Sequence, residues 1–396
     1  MINMIKMTAP CHFGLEKTLA FEIRRAGGED VQVTDGRVCF SGTPQTLVNA
    51  NISCSAAERI GVVLARFKAL TFDDVFDNIK TLPIGEFLEK NAAFPVVKGQ
   101  SVNSKLTSIP ALQRTLKKAL VQAMNSYYKI KTSPSERGIV SALPETGALF
   151  PVRFFLHRDE MTVFLDSSGE GLHKRGYREK AGAAPIKETL AAGIADIAKV
   201  RENDLVIDPF CGSGTMLIEA AFKALGIPPC LNRRFVAENW GFIPKKLWNE
   251  QRELLRAGIK TNAEFQAFGY DNDPACVRLT LENARKAGVE KYIKVERREI
   301  RDFNFPAKSC KIITNPPYAE RMLEKSDTER IYREMGERRA AGNASADYKN
   351  EWYIITSDEE FEKFFGEKAG KNRKLYNGML MCRLYMYGGK QVSNKI

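Results

Sequence analysis

The chain has 396 residues, of which 44% are hydrophobic and 27% charged, a composition typical of a soluble globular protein with two or three domains. No apolar run approaches the roughly 20 residues that cross a bilayer, and the N-terminus has no signal-peptide pattern, so we expect a cytoplasmic protein without a membrane partner. The formal charge of +12 favours a polyanionic partner. Eight widely spaced cysteines and only three histidines argue against a metal site and for reduced, mostly buried thiols.

The first 168 residues alternate strand-like with helix-like segments, which fits two short α+β units better than one. The strand-like stretches are "VQVTDGRVCFSG", "GVVLARFKAL", "FPVVKGQSV" and "PVRFFLHRDEMTVFLDSSG". A Gly-rich basic turn, "DSSGEGLHKRGYREK", then leads into a helix. We place the junction to the next domain at this turn.

The positive charge is concentrated between Lys90 and Ser135, a window with eight Lys or Arg and no Asp or Glu. Within it, "SIPALQRTLKKALVQAMNSYYKI" predicts a helix opened by Pro110. Its expected apolar face is Leu112, Leu116, Ala119, Leu120 and Ala123. A solvated face normally mixes both signs of charge, so the missing acids favour nucleic-acid contact over a simple surface helix.

From residue 203 onward the order becomes strand, turn and helix, which predicts a parallel sheet covered by helices on both faces. The pair Asn377-Gly378 lies between two apolar runs near the end, in "KLYNGMLMCRLYMYG". This pair is a strong hairpin signal, so we expect one late strand to run antiparallel.

The first strand of this region, in "LVIDPFCGSGTMLIEAA", ends at Asp208 and is followed by Gly212, Gly214 and a helix from about Thr215. Glycines allow close approach of a ligand, although they also serve tight packing alone. Phosphate binding is a second alternative, but the stretch lacks the Lys-Ser/Thr of a P-loop and the third glycine of a dinucleotide site. A carboxylate here suits a cationic ligand such as an ammonium or sulfonium group.

The next two strands also end in acids. Asp271 in "FQAFGYDND" is placed to accept hydrogen bonds from ribose hydroxyls, as acids at this position do in dinucleotide sites. Asp273 precedes Pro274 and fits better as a helix N-cap. Asp302 follows the third strand and is expected to accept a hydrogen bond from an adenine amine.

The stretch "KIITNPPYAE" closes a fourth strand with Asn315, Pro316, Pro317 and Tyr318. The prolines hold Asn315 in extended geometry, so its side-chain carbonyl and the Pro316 backbone carbonyl lie side by side. Two acceptors bind both hydrogens of a planar amine, and an adjacent aromatic ring gives the base a stacking surface. The pattern therefore predicts a site that makes an aryl amine nucleophilic. The alternative, a plain loop terminator, is disfavoured by the neighbouring acidic strand ends.

The set "DPFCGSGT", "GYDND" and "NPPY", in this order, resembles the S-adenosylmethionine-dependent methyltransferases that act on amines of adenine or guanine. The longer stretches "DSSGEGLHKRGYR", "APIKETLAAG" and "KNRKLYNGML" resemble the THUMP-domain RNA methyltransferases, near the bacterial enzymes that make N2-methylguanosine in large-subunit ribosomal RNA. The resemblance covers nearly the whole chain.

It implies an α/β protein with three domains. These are a ferredoxin-like α+β domain over residues 1–65, an RNA-binding THUMP domain over 66–168, and a Rossmann-like class I methyltransferase domain over 169–396 with its junction at 169–184. Some relatives carry a second methyltransferase domain, whereas this chain ends at Ile396, so we expect a single reaction.

The implied activity is transfer of a methyl group from S-adenosyl-L-methionine to a guanine N2 amine in RNA, with 23S rRNA as the expected substrate and no metal. The residues expected at the reacting base are Asn315, Pro316, Pro317 and Tyr318. Those expected at the cofactor are Asp208, Phe210, Gly212, Gly214, Thr215, Asp271, Asn272 and Asp302. Those expected to bind RNA are Lys105, Arg114, Lys117, Lys118, Lys129, Lys131, Lys174 and Arg175.

Two other classes of function stay open. One is methylation of tRNA guanine N2 or of adenine N6 in RNA or DNA, because the same four residues bind either amine. The THUMP-like half and the lack of an evident base-recognition insert count against DNA. The other is a non-catalytic RNA-binding assembly factor, which the intact Asn315, Tyr318 and Asp208 disfavour.

Cys211 beside the glycines has no evident His or Asn partner and is interpreted as a packing residue.

Overall fold

The computed structural model describes residues 4–130, 133–135, 138–140, 143–178, 186–306, 308–318, 325–342 and 348–388. Its strands form two seven-stranded sheets and one two-stranded ribbon. None of the described helices combines the length and apolar character that a membrane crossing requires.

The N-terminal half builds the first sheet and the ribbon. A short 3-10 helix, Ile84–Glu86, precedes the fifth strand. In chain order the elements are β1 (Ile5–Pro10), α1 (Glu16–Arg25), β2 (Glu29–Thr34), β3 (Arg37–Gly42), α2 (Pro44–Ser53), β4 (Gly61–Lys68), α3 (Phe72–Lys80), β5 (Val96–Val102), α4 (Ile109–Tyr127), β6 (Ser133–Ser135), β7 (Gly138–Val140), β8 (Val152–His157) and β9 (Glu160–Asp166).

The first sheet has the strand order β2-β3-β1-β4-β9-β8-β5. Strand β5 is parallel to β8, and the other neighbours are antiparallel. The limit that the sequence placed at residue 65 falls inside β4, which pairs with β1 on one side and with β9 on the other. The two expected N-terminal units therefore share one continuous sheet, and their division into domains stays a prediction.

Helix α4 confirms the helix predicted for the basic window. Pro110 lies in its first turn, where a missing backbone N–H has no intrahelical partner to lose. Leu112, Leu116 and Leu120 are fully buried, as the spacing predicted. The charged side chains of α4 consequently lie on the remaining faces of the helix.

The C-terminal half builds the second sheet and its covering helices. Three 3-10 helices, Val236–Asn239, Glu290–Tyr292 and Ile300–Asp302, lie in its connections. In chain order the elements are α5 (Glu188–Ile197), β10 (Leu205–Asp208), α6 (Thr215–Leu225), α7 (Lys245–Ala257), β11 (Gln266–Asp271), α8 (Pro274–Lys286), β12 (Ile293–Arg297), β13 (Lys311–Thr314), α9 (Lys325–Gly342), β14 (Glu351–Thr356), α10 (Phe361–Phe365), β15 (Lys371–Asn377) and β16 (Leu380–Tyr387).

The second sheet has the order β12-β11-β10-β13-β14-β16-β15. Its first five strands are parallel, and β16 is antiparallel to both β14 and β15, as the Asn377-Gly378 pair predicted. Buried side chains pack on both faces, among them Leu217 on one and Tyr332 on the other. The predicted Rossmann-like arrangement with a C-terminal hairpin is confirmed, and it brings the carboxyl ends of β10, β11 and β13 to one edge.

A segment between α6 and β11 packs onto the core of the N-terminal half. The Trp240 ring stacks on Phe150 with 4.8 Å between ring centroids, and the indole Nε1 donates a hydrogen bond to the Leu149 carbonyl over 2.9 Å. Trp248 of α7 belongs to the same buried cluster. This contact, which the sequence did not indicate, joins the two halves through a shared apolar core.

Candidate active site

A cavity of about 600 Å³ lies at the carboxyl edge of the second sheet. The carboxyl ends of parallel strands meet at one edge, so residues far apart in the chain come together there. The expected residues that line the cavity are Asp208, Phe210, Gly212, Thr215, Asp271, Asn272, Asn315, Pro316, Pro317 and Tyr318.

Asp208 is 1% exposed, yet its side chain lines the cavity. Its Oδ1 accepts hydrogen bonds from the Phe210 backbone N–H over 3.1 Å and from the Thr314 hydroxyl over 2.6 Å. Burial raises the pKa of Asp208 from 3.8 to about 7, although these two hydrogen bonds oppose the rise. Among the described residues no donor reaches Oδ2, so this oxygen is available to a cationic or hydrogen-bonding ligand.

The two glycines of the first turn have different roles. Gly212 has a φ of +53°, donates its N–H to Asp271 Oδ2 over 2.9 Å, and has no atom within 4 Å of the position a Cβ would take. Gly214 has a φ of +78° and lies outside the cavity lining, where a Cβ would approach Thr280 Cγ2 to 2.6 Å. Gly214 therefore permits close packing of α6 on α8, whereas Gly212 leaves open space for a ligand, and only Gly212 of the two lines the cavity.

Asp271 lies at the end of β11, beside the first turn. Its Oδ1 accepts a hydrogen bond from the Asp273 N–H over 3.0 Å, and burial raises the pKa of its carboxyl group. The backbone N–H groups of Asp273, Gly212 and Asn272 oppose this rise. A carboxylate has about four lone-pair sites, so the Asp271 side chain can still accept a ligand hydroxyl. Asp273 caps α8 by accepting from the Ala275 N–H over 2.7 Å, which confirms the N-cap predicted for it, whereas the ribose contact of Asp271 stays a prediction.

Asp302 is not brought to this cavity. Its side chain is 67% exposed and lies 4.0 Å from the Arg301 guanidinium at the end of a 3-10 helix. Glu299, Ile300 and Arg301, which precede it, line the cavity instead. Successive side chains of a 3-10 helix point in different directions. The distance of Asp302 from the end of the strand therefore did not predict which residue of this segment faces the cavity.

Thr215, the first residue of α6, is held by a side chain that sequence reasoning missed. Its hydroxyl accepts a hydrogen bond from Arg178 Nη1 over 3.0 Å, and Arg178 Nη2 lies 2.9 Å from Glu188 Oε2. Arg178 belongs to the Gly-rich basic turn of the junction, and its pairing with a buried acid was not visible as a local pattern. The junction thus supports the wall of the cavity directly.

The "NPPY" stretch occupies the predicted place, because β13 pairs with β10 and brings Asn315 to the edge that holds Asp208. Asn315 is half-buried, and Tyr318 is only 4% exposed. Little of the Tyr318 surface is therefore open to a base, although the residue lines the cavity.

Cys211 of the glycine turn is also buried. Burial raises the pKa of its thiol far above the ordinary value, which suits a packing residue rather than a nucleophile.

The structure also corrects part of the expected RNA-binding set. Arg175 is 7% exposed and donates to the carbonyl oxygens of Leu172 and Ser55, each over 2.6 Å, so it joins the two halves of the chain and is not available to RNA. Lys117 lies 2.6 Å from Glu145, an acid outside the basic window, and 3.7 Å from the Phe94 ring centroid. Lys117 is therefore largely committed within the protein.

The remaining predicted cations are more accessible. Lys105, Arg114, Lys118 and Lys129 are exposed, whereas Lys131 lies outside the described residues. Lys174 is 60% exposed and pairs with Glu170 over 3.0 Å. Surface pairs of this kind contribute little to stability, so Lys174 can exchange its partner for a phosphate.

The doubly wound sheet, the glycine turn and the Asp208 carboxylate at the edge of that sheet, and Asn315 in the same cavity together are typical of a methyltransferase. Residues 175–386, more than half of the chain, match the family described as RMKL-like, methyltransferase domain, and residues 6–61 match the RlmL ferredoxin-like domain. The chain belongs to this methyltransferase family.

Two relatives and one solved structure illustrate the similarity. The chain is 39% identical over 385 residues to the "Putative RNA methyltransferase YpsC" of Bacillus subtilis (strain 168), covering 97% of this chain and 95% of that protein. It is 30% identical to the Ribosomal RNA large subunit methyltransferase K/L of Cellvibrio japonicus (strain Ueda107), covering 96% of this chain but 50% of that protein, so it spans about half the length of such relatives. The structure of SMU.472 complexed with SAH superimposes with a TM-score of 0.88 at 34% identity, covering 99% of this chain and 100% of that one.

Proposed function

We propose that the protein transfers a methyl group from S-adenosyl-L-methionine to the exocyclic N2 amine of a guanine in RNA, with 23S rRNA as the substrate. One observation carries the proposal: Asn315 and Pro316 line the same cavity as Asp208 and Asp271. An amine acceptor site and a cofactor site in one cavity are what an in-line displacement requires. The relatives named for RNA and ribosomal RNA methylation support RNA as the substrate.

S-adenosyl-L-methionine is the cofactor, and the residues at the strand ends fit it. The Asp208 Oδ2 is free to accept from its ammonium group, Asp271 has lone pairs for its ribose hydroxyls, and the space beside Gly212 admits its main body. When bound, S-adenosyl-L-methionine supplies an electrophilic methyl group carried on a sulfonium.

The residues of the "NPPY" stretch bind and orient the target base. The Asn315 side-chain carbonyl and the Pro316 backbone carbonyl accept one hydrogen each from the N2 amine, which aims the nitrogen lone pair at the methyl carbon. Both contacts strengthen as the nitrogen becomes positive, so they stabilise the transition state more than the bound substrate. Orientation of this kind can supply up to about 7 to 11 kcal/mol of rate enhancement. The base must leave any helix to be reached.

The test is to map N2-methylguanosine in rRNA and tRNA from cells that have or lack the gene. We expect one N2-methylguanosine in 23S rRNA to disappear and to return with the wild-type gene but not with Asn315→Ala. Loss of the nucleotide from tRNA alone would move the substrate to tRNA. Loss of N6-methyladenosine, or no loss of any methylated nucleotide, would overturn the proposal.

A further inference from the structure

One face of α9 lines the cavity together with the "NPPY" residues. Asp327, Arg330, Ile331 and Glu334 all contribute to its lining. Their spacing of three, four and seven residues places them on one side of a helix. This side brings an acid, a guanidinium and a second acid to the cavity that holds Asn315.

The charged groups of this face are available to a ligand. Arg330 Nη2 lies 3.2 Å from Asp327 Oδ1, and the two side chains are 62% and 47% exposed, so their pairing is weak and exchangeable. Glu334 is half-buried, and no residue in the described part of the chain forms a hydrogen bond or an ion pair with its carboxylate. A half-buried acid without a partner beside a reactive site is free to accept a hydrogen bond from substrate.

A guanine whose N2 amine is bound by Asn315 presents its N1–H next to that amine and its O6 beyond the N1–H. The N1–H is a donor and O6 is an acceptor, so they require an acceptor and a donor on the protein, in that order. Adenine presents the reverse, an N1 lone pair and an N6 amine. A carboxylate facing the N1 lone pair leaves two buried acceptors opposed, which is costly.

We propose that α9 reads the Watson–Crick edge of the target base: Glu334 accepts from guanine N1–H, and Arg330 donates to guanine O6. Asp327 is a positioning residue that holds the Arg330 guanidinium. This assignment rests on the proposed guanine-N2 methylation and adds to it the groups that select guanine over adenine. From its composition alone, α9 would be interpreted as a charged helix exposed to solvent.

The experiment uses a synthetic RNA fragment that spans the mapped nucleotide and carries guanine, 2-aminopurine or adenine there. 2-Aminopurine keeps the N2 amine but has an N1 lone pair and no O6, so it tests the edge contacts without removing the reacting group. Single-turnover methyl transfer is measured with the full-length protein. For the wild type we expect guanine to react at least about 10²-fold faster than 2-aminopurine, because a site built to bond a polar group rejects an analogue without it.

Glu334→Gln presents both an acceptor and a donor, so the guanine to 2-aminopurine ratio should fall about tenfold or more, with part of the guanine rate retained. Arg330→Ala should slow guanine and leave 2-aminopurine unchanged, and Arg330→Lys should restore part of the guanine rate. Arg333→Ala and Glu337→Gln are matched controls, since both side chains are exposed, have the same four-residue spacing and lie outside the cavity lining.

Equal rates for guanine and 2-aminopurine in the wild type, or an unchanged ratio in Glu334→Gln, would overturn the inference while leaving guanine-N2 methylation intact. Transfer to adenine but to neither of the other bases would overturn both. A loss of folded protein does not explain these outcomes, because each one compares the rates that the same protein gives with two RNA substrates.

Discussion

Thr314 at the end of β13 donates a hydrogen bond of 2.6 Å to Asp208 at the end of β10. The bond joins the strand that leads into Asn315 to the strand that leads into the glycine turn. Since the two strands are neighbours in the sheet, the residues proposed to bind the base and those proposed to bind the cofactor are held in one fixed relationship. A buried bond to a carboxylate is stronger than one between neutral groups, which makes this contact well suited to fix geometry.

The first prediction concerns pH. Burial raises the pKa of Asp208 to about 7 in the free protein, so its contribution to folding stability is complete below the ordinary pKa of 3.8 and is lost as the pH rises through 7. A cationic ligand prefers the ionised form, so cofactor affinity should rise up to about tenfold per pH unit towards pH 7 and then level off. Calorimetry between pH 5.5 and 8 measures this profile.

Two variants locate the titrating group. Asp208→Asn should bind the cofactor more weakly and without this pH dependence. Thr314→Val removes a hydrogen bond that lowers the Asp208 pKa, so the rise in affinity should move to higher pH. A flat profile for the wild type, or the same rise in Asp208→Asn, would show that Asp208 does not bind the cationic group.

The second prediction concerns Asn315. Asn315→Ala should lower kcat by about 10² to 10³ with nearly unchanged cofactor affinity, because the hydrogen bond that the amide oxygen accepts is strongest in the transition state. Asn315→Asp keeps an acceptor and should retain part of the activity. Single-turnover transfer to protein-free RNA distinguishes these variants. Wild-type rates for Asn315→Ala would mean that the four residues form only a turn.

The third prediction concerns Tyr318, whose ring is almost entirely buried. Tyr318→Ala should reduce the free energy of unfolding by roughly 3 to 5 kcal/mol, as large aromatic truncations in a core do, besides lowering the transfer rate. Tyr318→Phe keeps the ring and should change transfer only mildly. Thermal unfolding and single-turnover transfer separate the two effects. A Tyr318→Ala protein with wild-type stability would contradict the observed burial.

The fourth prediction compares two acids that follow neighbouring strands. Asp271→Ala should weaken cofactor binding by about 1.5 to 3 kcal/mol, because the substitution removes a charged acceptor for hydroxyls and for the Gly212 N–H. Asp302→Ala is the control, since that side chain is exposed and outside the cavity lining, and its effect should stay within about 0.5 kcal/mol. Calorimetry that gives the two variants equal affinities would remove Asp271 from the site.

The fifth prediction concerns RNA affinity. Arg114 and Lys118 are exposed on α4, so reversing both to Glu should weaken RNA binding and lower its salt slope by roughly 0.7 to 0.9 for each phosphate that the variant no longer binds. Reversing Lys291 and Lys308, which are exposed before the amino ends of β12 and β13, gives a control with the same change in net charge. Equal weakening in both double variants would attribute the effect to net charge rather than to α4.

The local patterns of the sequence determined much of this molecule. Leu112 and Leu116 repeat with the period of a helix, and Asn377-Gly378 allows the positive φ that a tight hairpin needs, so both elements were predictable from neighbours in the chain. The strand ends at Asp208, Asp271 and Asn315 were predictable for the same reason. A parallel sheet brings such ends to one edge whatever the connecting segments are.

The tertiary structure decided which of those residues have a free side chain. Arg175 and Lys117 are cations in a basic stretch, but each is committed to the protein by partners distant in sequence, Glu219 and Glu145. Gly214 faces α8 instead of the cavity, and Asp302 is turned outward by a short helix. Glu334 shows no motif at all and lines the cavity only because α9 packs against the sheet. Charge and spacing are local properties, whereas burial and pairing depend on contacts between segments that only the folded chain brings together.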